Sequence, residues 1–202
     1  MLAREMKVSG AFVFTPKTYP DERGFFVSTM QKSAIQDTVG LPAFPTAQLS
    51  YSKSKRGVVR GIHYTLTPPG CAKYIHCPHG RVLDITVDIR VGSPTYGCHD
   101  TVVLNAESGQ GVFQPIGVGH AFVALEDGSI VSYLLSIDYE ASRELAVLVT
   151  DPALALPMPT DLDLIMSQRD RAALTLAHAE EADLLPDYVT CQALTMNAVS
   201  YP

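Results

Sequence analysis

The chain contains no Trp, and only 18% of its 202 residues are charged. Lys and Arg number 15 against 21 Asp and Glu, for a formal net charge of −6. A nucleic-acid surface needs a basic field, so no nucleic-acid partner is expected. The four cysteines, Cys71, Cys77, Cys98 and Cys191, form no C-x-x-C pair. That excludes the common zinc and redox motifs and leaves packing as their expected role. No stretch approaches ~18 apolar residues, so no membrane span is expected. The opening MLAREMKVSGAFVF has no uninterrupted apolar stretch of the signal-peptide kind. A reducing, cytoplasmic location with free thiols is therefore expected. Neither a dinucleotide glycine fingerprint nor a P-loop occurs, so no cofactor of those classes is expected.

What is present is a globular composition, 47% hydrophobic, with 14 Gly and 14 Pro spread along the chain. Such punctuation favours many short elements, as in an all-β protein. Strand-like runs occur at Gly10–Phe14 and Gly24–Thr29, around a predicted turn at Tyr19–Glu22. The segment Arg81–Val91 alternates: Leu83, Ile85, Val87, Ile89 and Val91 face one way, and Asp84, Thr86, Asp88 and Arg90 the other. Further runs at Asp100–Leu104, Ala121–Leu125, Ile130–Ile137 and Glu144–Thr150 lie between Gly- and Pro-bearing turns. Turn spacing near ten residues predicts a sandwich or barrel. After Pro159 the character changes. Arg169–Leu185 is Ala- and Leu-rich and reads as one helix, with Ser167-x-x-Asp170 as its cap and Pro186 as its stop. The expected organisation is a single domain over residues 1–202. Its β-core runs from about 10 to 158, and a short C-terminal helical section from about 160 to 190.

Three segments could carry chemistry. RGVVRGIHY brings Arg60 and His63 onto a strand, with Lys73 ten residues on from His63. PIGVGHAF contains P-x-G-x-x-H, the second motif of cupins, and points His120 into a barrel. Tyr133 sits in an apolar strand. The first cupin motif should add H-x-H and a Glu, and His63 has neither beside it. A cupin-type double-stranded jelly roll without a metal is therefore predicted. His76 and His79 flank a turn and are expected on the surface. Taken singly, each of these residues is as readily a packed or solvated side chain. Arg60 and His63 also have odd spacing, which on a regular strand places them on opposite faces.

Together the residues resemble the dTDP-4-dehydrorhamnose 3,5-epimerase family in order and spacing. The resemblance rests on RGFF, Gln48, GVVRGIHY, Lys73, VLDITVDIRVGSPTYG, PIGVGHAF, Tyr133 and SQRD. HYTLTPPGCAKY and the LLPDY tail are closer to the branch that makes antibiotic deoxysugars. The resemblance implies a jelly-roll homodimer without cofactor, acting on a dTDP-4-keto-6-deoxyhexose. It implies His63 as general base, Asp170 as its carboxylate partner, Tyr133 as general acid and Lys73 beside the C4 oxygen. It also implies Arg23, Arg60 and His120 at the diphosphate, and Phe26, Gln48 and Tyr139 lining the substrate site. The chain departs from the rhamnose-type pattern where Ser28 stands for Glu and Ser50 for Asn, and in lacking Trp over residues 146–159. A 3,4-ketoisomerase and a non-catalytic nucleotide-sugar-binding cupin are the alternatives. A metallocupin oxygenase is a third.

The chemistry explains the residue types. Removing a proton beside a ketone makes an enolate, with charge on the ketone oxygen. A base working near neutral pH, a cation at that oxygen and an acid on the opposite sugar face are required. Imidazole, ammonium and phenol supply them, and a carboxylate behind the imidazole fixes its tautomer.

Overall fold

The computed structural model describes residues 1–40 and 44–197. Four short strands come first: β1 (Leu2–Glu5), β2 (Phe12–Thr15), β3 (Thr18–Asp21) and β4 (Gly24–Val27), followed by α1 (Lys32–Val39). The longer strands are β5 (Gln48–Ser54), β6 (Val59–Thr65), β7 (Lys73–His79), β8 (Arg81–Val87) and β9 (His99–Asn105). Next come β10 (Gly111–Gln114), β11 (Gly119–Ala124), β12 (Ser129–Leu135) and β13 (Glu144–Ala146). The chain then forms α2 (Gln168–Arg171), α3 (Leu176–Glu181) and α4 (Tyr188–Asn197).

Two antiparallel sheets face each other, ordered β1-β2-β10-β7-β12-β5 and β13-β6-β11-β8-β9, and β3 and β4 form a separate hairpin. Strands distant in sequence lie side by side, which is the connectivity of the predicted jelly roll. Val13, Ile75, Val112 and Val131 from one sheet meet Val82, Leu104 and Phe122 from the other in an inner core. Each sheet also buries its outer face. Ile62, Ile85, Val87 and Ile89 lie under Val147, Leu154, Leu176 and Ala179. Phe14, Tyr74 and Phe113 lie under Ile35, Phe44 and Cys191.

This arrangement assigns the two faces of Arg81–Val91. The apolar side chains turn outward beneath the C-terminal section. Asp84, Thr86 and Asp88 are 0% exposed and belong to the polar, inward side. A buried charge must be paired. Asp88 meets Arg90 (2.7 Å to Nη2), Ser93 and Thr95. Asp84 meets His120.

Three expectations change. The predicted turn at Tyr19–Glu22 is mostly strand: Tyr19 and Pro20 belong to β3, and the turn is Glu22-Arg23. The single helix over Arg169–Leu185 is two. Ser167 caps α2 as expected, but Thr175 caps α3, and the chain between them leaves helical geometry. There Leu174 bridges to Val147, and its carbonyl accepts from Leu148 N at 2.8 Å. That pairing overrides the helix propensity of the Ala–Leu run. His76 is half-buried, with Nδ1 lacking a partner among the described residues and burial pushing its pKa down, whereas His79 is exposed.

Candidate functional site

Two cavities sharing Arg60, His63, Tyr139 and Glu144 open between the sheets and the α2 segment. The inner one, about 210 Å³, is lined by residues including Ser50, Cys71, Lys73, His120 and Tyr133. The outer one, about 460 Å³, reaches Ser167, Arg169 and Asp170.

His63 comes from β6, and its Nε2 lies 2.7 Å from Asp170 Oδ1. Asp170 is 3% exposed. Ser167 Oγ accepts from the Asp170 backbone N–H at 3.0 Å, which turns the carboxylate toward His63. Asp170 is thus both the third residue of the cap and the histidine partner. Burial alone would raise its pKa. The His63 hydrogen bond and charge, with Ser167 and the Gly61 N–H, outweigh burial and hold it below the ordinary carboxylate range. A carboxylate on Nε2 leaves His63 Nδ1 as the nitrogen able to take a proton.

The odd spacing of Arg60 and His63 is resolved by a bulge. His120 pairs with His63 and Phe122 with Arg60, so two steps on β11 span three on β6. The extra residue brings Arg60 and His63 to the same cavities. Gly61 makes this possible. Its φ is 111°, and a Cβ there would press into the His120 carbonyl oxygen and lie 2.8 Å from Ala121 Cα.

The opposite wall comes from the other sheet. Lys73 on β7 is cross-strand neighbour to Leu135 on β12, two residues from Tyr133. Lys73 is 7% exposed, and its Nζ lies 3.5 Å from the His63 carbonyl oxygen. No carboxylate lies within ion-pair distance of it among the described residues, so Asp84 does not pair with Lys73. Tyr133 exchanges a 3.2 Å hydrogen bond with Ser52 Oγ, and burial raises its pKa well above the ordinary phenol value. It therefore stays protonated at neutral pH, as an acid requires.

Gln48 stands behind the cavity rather than in its wall. Its Nε2 donates to Ser50 Oγ at 2.6 Å, and its Oε1 accepts from Tyr139 N at 2.7 Å, fixing two lining residues. His120 lines the inner cavity and not the outer one that holds Arg169. Arg23 and Phe26 line neither. They lie on the exposed β3–β4 hairpin, where Arg23 Nη2 pairs with Asp21 at 2.6 Å and Phe26 is 67% exposed. Sequence reasoning missed Glu144, which accepts from Thr65 Oγ1 at 2.6 Å, and Arg169, visible only as a letter within SQRD. Cys71, expected to pack, is buried and also forms part of the cavity wall. Among the described residues, no group of three His, Cys, Asp or Glu side chains is gathered to hold a metal ion. No helix among them is long and apolar enough to cross a membrane.

Fold and cavity define a cupin-type barrel in which His63 and Tyr133 line one cavity from opposing sheets. The family model described as dTDP-4-dehydrorhamnose 3,5-epimerase matches residues 5–178. A dTDP-4-dehydrorhamnose 3-epimerase of Streptomyces niveus is 43% identical over 196 residues, 97% of this chain and 94% of that protein. A solved epimerase of Mycobacterium tuberculosis superposes with a TM-score of 0.93 at 37% identity, covering 96% of this chain and 98% of the other. A 3'-monoepimerase of Streptomyces bikiniensis, solved in complex with dTDP-quinovose, gives 0.91 at 38% identity, with the same coverage. The chain belongs to the dTDP-4-dehydrorhamnose 3,5-epimerase family.

Proposed function

We propose that this chain is a cofactor-independent epimerase in deoxysugar formation of the antibiotic type. It inverts C5, with or without C3, of a dTDP-4-keto-6-deoxyhexose. One observation carries the reading: the carboxylate-held imidazole of His63 and the half-buried phenol of Tyr133 face one cavity from opposite sheets. Proton removal on one sugar face and return on the other is what inversion demands.

His63 Nδ1 takes the proton beside the C4 ketone, and Asp170 stabilises the imidazolium that forms. The C–H electron pair moves into the ring and onto the ketone oxygen. Lys73 meets the charge there; one such donor contributes about 3–4 kcal/mol by analogy with an oxyanion-hole donor. Tyr133 then gives its proton to the carbon from the far face. The outer cavity, with Arg60 and Arg169, takes the diphosphate, since guanidinium groups match phosphate geometry. Exposed Tyr139 lies where the cavities meet and offers a flat face to the nucleotide.

The departures from the rhamnose-type pattern fall in different places. Ser50 lines the inner cavity and bears on which sugar fits. The segment around Val147, Val149 and Leu154 lies in an outer core, so the missing Trp bears on packing.

A second copy would complete the site. Tyr19, Phe25 and Phe26 are 53%, 48% and 67% exposed on one hairpin, beside Arg23. In a homodimer this hairpin would bring Arg23 and Phe26 to the neighbour's cavity. Mixing Arg23→Ala with His63→Asn chains should then restore activity that neither possesses alone; no restoration in a demonstrated mixed dimer refutes the shared site. The 1–202 single domain is part of this reading, with residues 41–43 and 198–202 outside the described residues.

The deciding experiment is proton exchange in D₂O, followed by NMR. Deuterium should enter C5, C3 or both, and the product should be the epimer. No deuterium with any dTDP-4-keto sugar ends the proposal, and a moved carbonyl would identify a 3,4-ketoisomerase instead. The relatives compared are named epimerases, which favours the first outcome.

A further inference from the structure

A second imidazole–carboxylate pair lies in the barrel, and the proton transfers above leave it unused. His120 Nε2 meets Asp84 Oδ2 at 2.7 Å, with side chains 6% and 0% exposed. His120 stands directly opposite His63 in the β6–β11 ladder, so the two imidazoles are neighbours at the inner cavity. Its ring also packs edge-on against Tyr133, with centroids 5.9 Å apart.

Asp84 does not resemble a structural brace. Asp88, on the same polar side, has both oxygens filled by Arg90, Ser93 and Thr95. Among the described residues Asp84 bonds only His120, and its Oδ1 has no partner. A buried carboxylate left half-satisfied costs stability, and such costs gather at functional sites. A carboxylate accepts and does not donate, so the shared hydrogen sits on Nε2. Nδ1 has no partner among the described residues, while the ring lines the cavity.

We propose that Asp84 is a positioning residue: it turns His120 so that Nδ1 faces the sugar as an acceptor and takes a sugar hydroxyl. The neighbouring His63 meanwhile takes the carbon-bound proton. This rests on the epimerase reading and gives His120 a place at the sugar rather than the diphosphate. The substrate class is thereby narrowed to 4-keto sugars with a free hydroxyl beside the reacting carbons. The negative charge of Asp84 also helps keep Tyr133 protonated, behind the larger effect of burial.

Imidazole ¹⁵N NMR on histidine-labelled protein reads the orientation, with the His120 signal assigned by its loss in His120→Asn. The wild-type chain should show His120 hydrogen on Nε2. In Asp84→Asn the amide donates to Nε2, so the hydrogen should move to Nδ1. Turnover should then fall about 100-fold, the loss typical of one misplaced polar group, while dTDP binding by calorimetry stays within about threefold. A wild-type hydrogen on Nδ1 overturns the proposal. So does a flipped tautomer with unchanged turnover. If Asp84→Asn fails to fold, the wild-type spectrum decides. If the wild-type chain turns over no dTDP-4-keto sugar, the epimerase reading fails, and the spectrum still judges the role of Asp84 in orienting His120.

Discussion

Replacing Gly61 by Ala tests whether the β6 bulge builds the site. Two costs combine. At φ 111° an L side chain is strained, at about 1–3 kcal/mol. The new Cβ also meets backbone atoms of β11, the His120 carbonyl and Ala121 Cα. Backbone in a central strand cannot yield without shifting the ladder, so overpacking adds about 1–3 kcal/mol. The sum, about 2–6 kcal/mol, lowers Tm by roughly 4–24 °C at about 2–4 °C per kcal/mol for a chain of this size. Gly92→Ala is the control. Its φ is 83°, but among the described residues nothing lies within 4 Å of an added Cβ. Strain alone, about 1–2 kcal/mol, should cost it roughly 2–8 °C. The two variants should separate more sharply in D₂O exchange, assayed well below either Tm. Gly92→Ala should exchange like the wild type. Gly61→Ala displaces Arg60 and His63 together, and a 1 Å misplacement can cost about 100-fold. A folded Gly61→Ala chain with near-wild-type exchange would refute the role given to the bulge.

Other expectations follow from the same geometry. Asp170→Asn keeps the Ser167 cap, which uses the backbone N–H, but puts an amide donor against His63 Nε2. Exchange should fall by about 10⁴, as when a triad carboxylate becomes an amide; a loss under tenfold counts against the pairing. Tyr133→Phe should slow inversion far more than exchange, and equal losses in the NMR assay would remove Tyr133 from the acid role. Arg90→Met strands the buried Asp88 carboxylate, and urea unfolding should show a loss of about 3–5 kcal/mol. Asp88 and Asp170 are both lowered in the fold: burial opposes this, and their Arg90 and His63 partners prevail. Their stabilisation is therefore complete above the ordinary carboxylate value near 4, and is lost as pH falls through the lower folded values. Urea midpoints should thus drop on acidification below about pH 4, and less steeply in Asp88→Asn.

Much of the fold was legible because it rests on local pattern. Alternation in Arg81–Val91 fixed two faces, and P-x-G-x-x-H marked the entry to β11. Alternation alone did not say which face was inward. The apolar side looks like a core, yet here it packs under the C-terminal section while the carboxylates turn into the barrel. The helix over Arg169–Leu185 misread a tertiary bridge, Leu174 to Val147, that no local propensity encodes. The site divided in the same way. His63, Lys73, Tyr133 and Asp170 were readable as residue types the chemistry needs, and the structure gathers them. Arg60 looked misplaced because a bulge changes the parity of a strand without leaving a sequence signature beyond one glycine. Glu144 was silent because an isolated Glu on a short edge strand resembles any solvated side chain.

The strand order also governs how the chain reaches its native state. His63 and His120 lie on β6 and β11, and Lys73 and Tyr133 on β7 and β12, each pair separated by tens of residues yet adjacent in a sheet. Folding must close those long loops before the contacts repay the lost entropy, so it belongs to the slow, millisecond-to-second class.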